Sequence, residues 1–126
     1  MDCPLNVNLE NKVAVVTGAG GVICSSMAET LAASGAKVAL LDINEKAVIT
    51  VAEKIKNAGG EAAPIICDVL SRESIKKARE KVIEIFGPCN ILINGAGGNN
   101  PRATIDSEVF SIEQMGKEKT FFDIGK

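Results

Sequence analysis

Few residues in this 126-residue chain could do chemistry, and they stand where apolar runs stop. Gly18, Gly20 and Gly21 follow the apolar run Val13–Thr17, and Val22 and Ile23 then open a helical pattern. A turn between a buried strand and a helix start is an anion site. The first-turn N–H groups have no helical partner, and the helix dipole puts partial positive charge there. Glycine lets a pyrophosphate come close to the backbone; read in isolation, the same glycines are also compatible with a plain tight bend. Asp42 stops the second apolar run. In a doubly wound fold, a carboxylate at that place receives the ribose hydroxyls of an adenine dinucleotide. A helix cap or a solvated loop acid is the bland reading of Asp42. Its charge would repel a 2′-phosphate, so NAD is expected as cofactor and NADP less so. A third run ends in Cys67, Asp68 and Val69, and a fourth in Asn94, Gly95, Ala96 and Gly97. Ligands of open parallel sheets bind outside such carboxyl ends, where the strand order reverses.

Composition removes other chemistries. With no His, neither a Ser-His-Asp nor a Cys-His device can be built. The four cysteines, Cys3, Cys24, Cys67 and Cys89, show no CxxC spacing, so no metal site is expected and free thiols in a reducing compartment are. Net charge is −2 and no basic patch is visible, so nucleic acid is not an expected partner. No apolar run approaches the ~20 residues of a membrane span. The opening residues, MDCPLNVNLENK, lack the basic and apolar regions of a secretory signal. These readings favour the cytoplasm, with no membrane partner.

Four strands and three helices must position the candidate residues. Val13–Thr17 is continuously apolar, as suits a strand covered on both faces. Ile23, Met27 and Leu31 recur at helical spacing, with Ala28 and Ala32 beside them as a small-residue face able to lie close on a sheet. Gly35 ends that helix. Residues 37–41 form a second strand. Asn44 caps a helix carrying Val48, Val51, Ala52 and Ile55, closed by Gly59 and Gly60. Residues 62–67 read as a third strand, and Pro64 makes it an edge. Ser71 caps a third helix with Ile75, Ala78, Val82, Ile85 and Phe86 on one face, and residues 90–94 are a fourth strand. Alternating strands and helices imply a parallel α/β sheet covered on both faces. Beyond Gly98 the pattern dissolves into polar, mixed sequence.

At these residues the chain resembles the short-chain dehydrogenase/reductase family. Thr17, Gly18 and Ile23 match its Thr-Gly-x-x-x-Gly-x-Gly motif, while Val22 and Cys24 stand where the second and third motif glycines would be. Asp42 matches the family's NAD-type acid, and Asp68 and Val69 match its adenine-contacting pair. Asn94, Gly95, Ala96 and Gly97 match its Asn-Asn-Ala-Gly, with Gly95 replacing the second Asn. The resemblance implies a doubly wound, Rossmann-type fold with strand order 3-2-1-4, truncated after strand four. Residues 1–126 would then be the N-terminal part of an NAD(P)-binding domain. The implied cofactor contacts are Gly18, Gly20, Gly21, Val22, Ile23, Asp42, Ile43, Asp68, Val69, Asn94, Ala96 and Gly97.

The family transfers hydride between nicotinamide and a carbonyl or secondary alcohol. "TGAGGVICSSMA", "NGAGGNNPRAT" and "KTFFD" are similar to its D-mannonate/fructuronate oxidoreductase subgroup, which implies a sugar-acid substrate. Arg102 could meet such a carboxylate bidentately, or simply be a solvated loop arginine. The family's catalytic Ser, Tyr and Lys lie downstream of the fourth strand, with the Tyr phenol as general acid/base. This sequence contains no Tyr, so those residues are expected beyond Lys126, and the chain alone is expected to be inactive. It reads as the amino-terminal half of an enzyme that is a homo-oligomer in its full-length form. The apolar fourth strand and the pair Phe121 and Phe122 would then be left without cover. The alternatives are a non-catalytic nucleotide-binding or redox-sensing module, and, more remotely, an interaction protein with an empty cleft.

Overall fold

The strand β1, Val13–Thr17, sits inside a four-stranded parallel sheet with four of its five residues buried. The computed structural model describes residues 6–98 and residue 112. Arg102, Phe121, Phe122 and Cys3 lie outside the described residues. The chain divides into two units, Met1–Ala96 and Gly97–Lys126. In the second, Gly97, Gly98 and Ile112 are described, and all three are exposed.

In the first unit, β2 (Lys37–Asp42) pairs with one side of β1, Val13 opposite Lys37 through Thr17 opposite Leu41. β4 (Ile91–Asn94) pairs with the other side, and β3 (Glu61–Ile66) lies beyond β2. The order β3-β2-β1-β4, all parallel, is the one expected. It reverses at β1: the chain steps outward to β2 and β3, then returns to the far side of β1.

Two layers of helix cover the sheet, because successive strand side chains point to opposite faces. Ala14, Val16, Val38 and Leu40 pack with Ala28 and Ala32 of α1 (Val22–Ala33) and with Val48 and Ile55 of α2 (Glu45–Asn57). Val13, Val15, Ala39 and Leu41 pack with Ala78 and Val82 of α3 (Arg72–Ile85), and Phe86 leans on this cluster. The caps are as read. Asn44 accepts from the Ala47 amide at 3.2 Å, and Ser71 from the Ser74 amide at 3.2 Å.

On α1 the small-residue face lies on the sheet as expected: Ala28 and Ala32 are buried, with Cys24 beside them, while Ile23 and Met27 are exposed. The small face lets the helix approach closely; the larger stripe lies beside Ile93 of β4. On α3, Ile75 and Ile85 of the expected face are exposed. The strand ends differ from the sequence reading: β2 runs on through Asp42, β4 starts at Ile91, and β3 starts and ends one residue earlier than expected. Glu61 pairs with Lys37 and Ile66 with Asp42, while Cys67 has left the ladder and donates its N–H to the Asp42 carbonyl at 3.0 Å. Cys24, Cys67 and Cys89 are free. No described helix is long and apolar enough to cross a membrane, and the described residues contain no His/Cys/Asp/Glu group able to hold a metal.

Candidate functional site

The turn after β1 is clamped between the ends of its two neighbouring strands. On the β2 side, the Ala19 amide donates to the Leu41 carbonyl at 3.1 Å, and the Gly20 amide donates to Asp42 Oδ2 at 2.9 Å. On the β4 side, Thr17 Oγ1 accepts from the amides of Gly95 and Ala96, both at 3.1 Å. In the sequence Thr17 is only a motif match. Its position as the last residue of β1, opposite Asn94, is what lets one hydroxyl gather both amides.

Two glycines are required here for stated reasons. Gly18 has φ +67°, a left-handed conformation that side chains disfavour. A Cβ on it would lie 2.7 Å from the Gly95 carbonyl oxygen and 2.9 Å from Ala96 Cα. A Cβ on Gly20 would lie 2.7 Å from Ala47 Cβ and 3.0 Å from Asp42 Oδ2. The turn therefore packs as closely as backbone allows.

The turn's own amides face inward. Those of Ala19 and Gly20 go to β2, and Gly21 donates to the Gly18 carbonyl at 3.0 Å. What faces outward is the start of α1. Its N-cap, Gly21, provides no side-chain cap, and its first turn has no acidic residue. By contrast α2 and α3 have both a side-chain cap and a first-turn Glu. The first i→i−4 bond of α1 runs from Ser25 to Gly21 at 2.9 Å, so the amides of Val22 to Cys24 precede it. Val22 is 86% exposed and Ile23 71% exposed. An anion at this end would meet the dipole and supply the missing acceptors.

Asp42 faces the turn from the end of β2. Besides Oδ2, its Oδ1 accepts from the Asn44 amide at 3.0 Å. A carboxylate offers about four acceptor directions, so these two bonds leave room for ribose hydroxyls. Ile43, 68% exposed, offers an apolar surface next to it. One strand further out, Asp68 follows β3. Its Oδ1 accepts from the Leu70 amide at 2.9 Å, its own amide donates to Ser74 Oγ at 2.9 Å, and Val69 beside it is exposed. Asn94 ends β4 and is exposed; Ala96 is fixed by Thr17. Gly97 belongs to the second unit. The fold thus brings Gly18, Gly20, Gly21, Val22, Ile23, Asp42, Ile43, Asp68, Val69, Asn94 and Ala96 to the carboxyl ends of four adjacent strands. These residues fit an adenine dinucleotide: a bare helix start for the diphosphate, an acid one strand away for a ribose, and apolar surface beyond it.

The family model for short chain dehydrogenases matches residues 12–117. An uncharacterized oxidoreductase of Haemophilus influenzae is 48% identical over 126 residues, which is 100% of this chain and 44% of the relative. A Haemophilus crystal structure with bound NAD, provisionally named a D-mannonate oxidoreductase, superposes with TM-score 0.79 at 49% identity, covering 96% of this chain and 43% of that one. A metagenomic short-chain oxidoreductase in complex with NADP superposes with TM-score 0.68 at 36% identity, over 71% of this chain and 41% of that one. The chain spans less than half the length of each of these proteins.

Proposed function

The chain belongs to the short-chain dehydrogenase family, and from that premise we propose that it is the dinucleotide-binding part of an NAD-dependent oxidoreductase. Residues 1–126 are read as the N-terminal portion of the NAD(P)-binding domain. The reaction is hydride transfer between nicotinamide and a carbonyl or secondary alcohol of a small molecule. Its substrate is a sugar acid of the fructuronate or mannonate class, supported by the motifs around Gly18 and Asn94 and by the name of the NAD-bound Haemophilus relative. The full-length form is read as a cytoplasmic homo-oligomer.

In this reading the Val22 and Ile23 amides and the dipole of α1 hold the diphosphate. Asp42 holds the adenosine ribose, and Ile43, Asp68 and Val69 border the adenine. Asn94 and Ala96 line the nicotinamide side. The cofactor, when bound, supplies or takes the hydride; the residues of this chain bind and orient it. The acid/base group that completes the reaction is not among these 126 residues if it is a Tyr, because the sequence has none.

The observation that carries the proposal is Asp42, a carboxylate at the end of β2 that accepts from the Gly20 amide at 2.9 Å, in the turn after β1, the strand at which the order reverses. Its negative charge opposes a 2′-phosphate and favours NAD. Calorimetric titration of the intact gene product with NAD and NADP tests this. Tighter binding of NAD is expected. Equal or tighter NADP binding would overturn the cofactor assignment, and binding of neither would overturn the site.

A further inference from the structure

Gly95 is a glycine for want of space. It is not among the glycines with positive φ, so its backbone would accept a side chain. A Cβ there would collide with Cys24 Sγ and would lie 2.9 Å from the Thr17 carbonyl oxygen. Cys24, 8% exposed, is the third residue of α1, the helix whose start carries the proposed diphosphate site. Its carbonyl oxygen lies 2.7 Å from where a Gly18 Cβ would be. Its amide, like that of Ala96, is held by Thr17 Oγ1 at 3.1 Å.

We infer that Cys24 and Gly95 form one size-matched joint that seats the end of β4 against the glycine turn and the start of α1. The sulfur takes the volume that a side chain at 95 would need. The joint sets the distance between the diphosphate end of the cofactor and the Asn94–Ala96 backbone on the nicotinamide side. Both are positioning residues, acting through the backbone of neighbours. The two positions also depart together from the motif glycine and motif Asn of the resemblance described above, as a matched exchange of volume would require. The inference rests on the dinucleotide reading of the site.

The test compares Cys24→Ala, Gly95→Ala and the double variant in the intact gene product. Melting midpoint is read alongside affinity for NAD and for ADP-ribose, which lacks the nicotinamide ring. Gly95→Ala should weaken NAD binding at least tenfold and ADP-ribose binding distinctly less. Adding Cys24→Ala should recover part of the loss in both affinity and melting midpoint. Removing Sγ leaves Cys24 Cβ 3.6 Å from the new Cβ, an ordinary contact, while the Thr17 carbonyl oxygen still lies 2.9 Å from it and holds back full recovery. Equal losses for the two ligands, or a double variant no better than Gly95→Ala, would overturn the joint. Should Gly95→Ala fail to fold, recovery of soluble protein in the double variant supports the inference and failure of both overturns it. A parent protein that binds neither ligand would instead overturn the dinucleotide reading, and the melting midpoints would then decide the coupling alone.

Discussion

The Gly20 amide donates to Asp42 Oδ2 at 2.9 Å, which makes the acid at the end of β2 a structural part of the turn at the end of β1. Asp42 also accepts from the Asn44 amide, at the cap of α2. One carboxylate thus joins the turn, the second strand and the second helix, and still presents acceptor capacity outward. Loss of this residue has two consequences, one for the fold and one for binding.

For Asp42→Ala, NAD binding should weaken by ~1–3 kcal/mol, the usual loss when a charged hydrogen-bond partner is removed. The preference for NAD over NADP should narrow, because the charge facing a 2′-phosphate is gone. Calorimetry with both cofactors reads both effects. Unchanged NAD affinity would reduce Asp42 to a cap and a turn anchor.

Gly18→Ala combines left-handed backbone with a Cβ pressed on the Gly95 carbonyl. Backbone strain of this kind alone costs about 1–3 kcal/mol. Urea unfolding should show a lower midpoint at unchanged slope. Stability equal to the parent's would mean that the turn relaxes freely.

Thr17→Val keeps the shape and removes the acceptor shared by the Gly95 and Ala96 amides. Leaving such donors unsatisfied costs about 1–3 kcal/mol where they are desolvated. Thr17→Ser should recover most of the loss, since it restores the oxygen. Hydrogen exchange at Gly95 and Ala96 is the local readout: faster in Thr17→Val, near parental in Thr17→Ser. Identical exchange in all three proteins would contradict the assignment.

Much of this was legible in the sequence. The four strands run into glycine or polar residues, and Asn44 and Ser71 announce their helices, so element order and the place of Asp42 followed from local signals, while strand order came with the family resemblance. The small face of α1 was legible too, in Ala28 and Ala32. That Cys24 joins them, and that Ile23 and Met27 stay exposed, follows from the closeness of the sheet. The ends of β3 were displaced because pairing with β2, not composition, sets them. Thr17 and Cys24 reach residues 78 and 71 positions away (95 − 17 and 95 − 24), and no local pattern announces such contacts.

Among the described residues β4 is an edge, with Leu92 exposed on it and Ile75 and Ile83 of α3 exposed on one of its flanks. An apolar edge of this kind invites pairing. A purified 126-residue chain should therefore show concentration-dependent association in sedimentation. A monodisperse monomer that melts cooperatively would contradict this.

That same chain should not oxidise NADH with any carbonyl substrate, since no Tyr or His is present to supply the proton. Steady turnover by a mass-verified preparation would show that other groups in these residues do the acid/base chemistry.

The most direct measurement is a crystal structure of the intact gene product with NAD. The diphosphate oxygens should lie within hydrogen-bond distance of the Val22 and Ile23 amides, with ribose hydroxyls on the Asp42 carboxylate. A cofactor whose adenosine ribose sits away from Asp42, or whose diphosphate leaves the start of α1, would contradict the account.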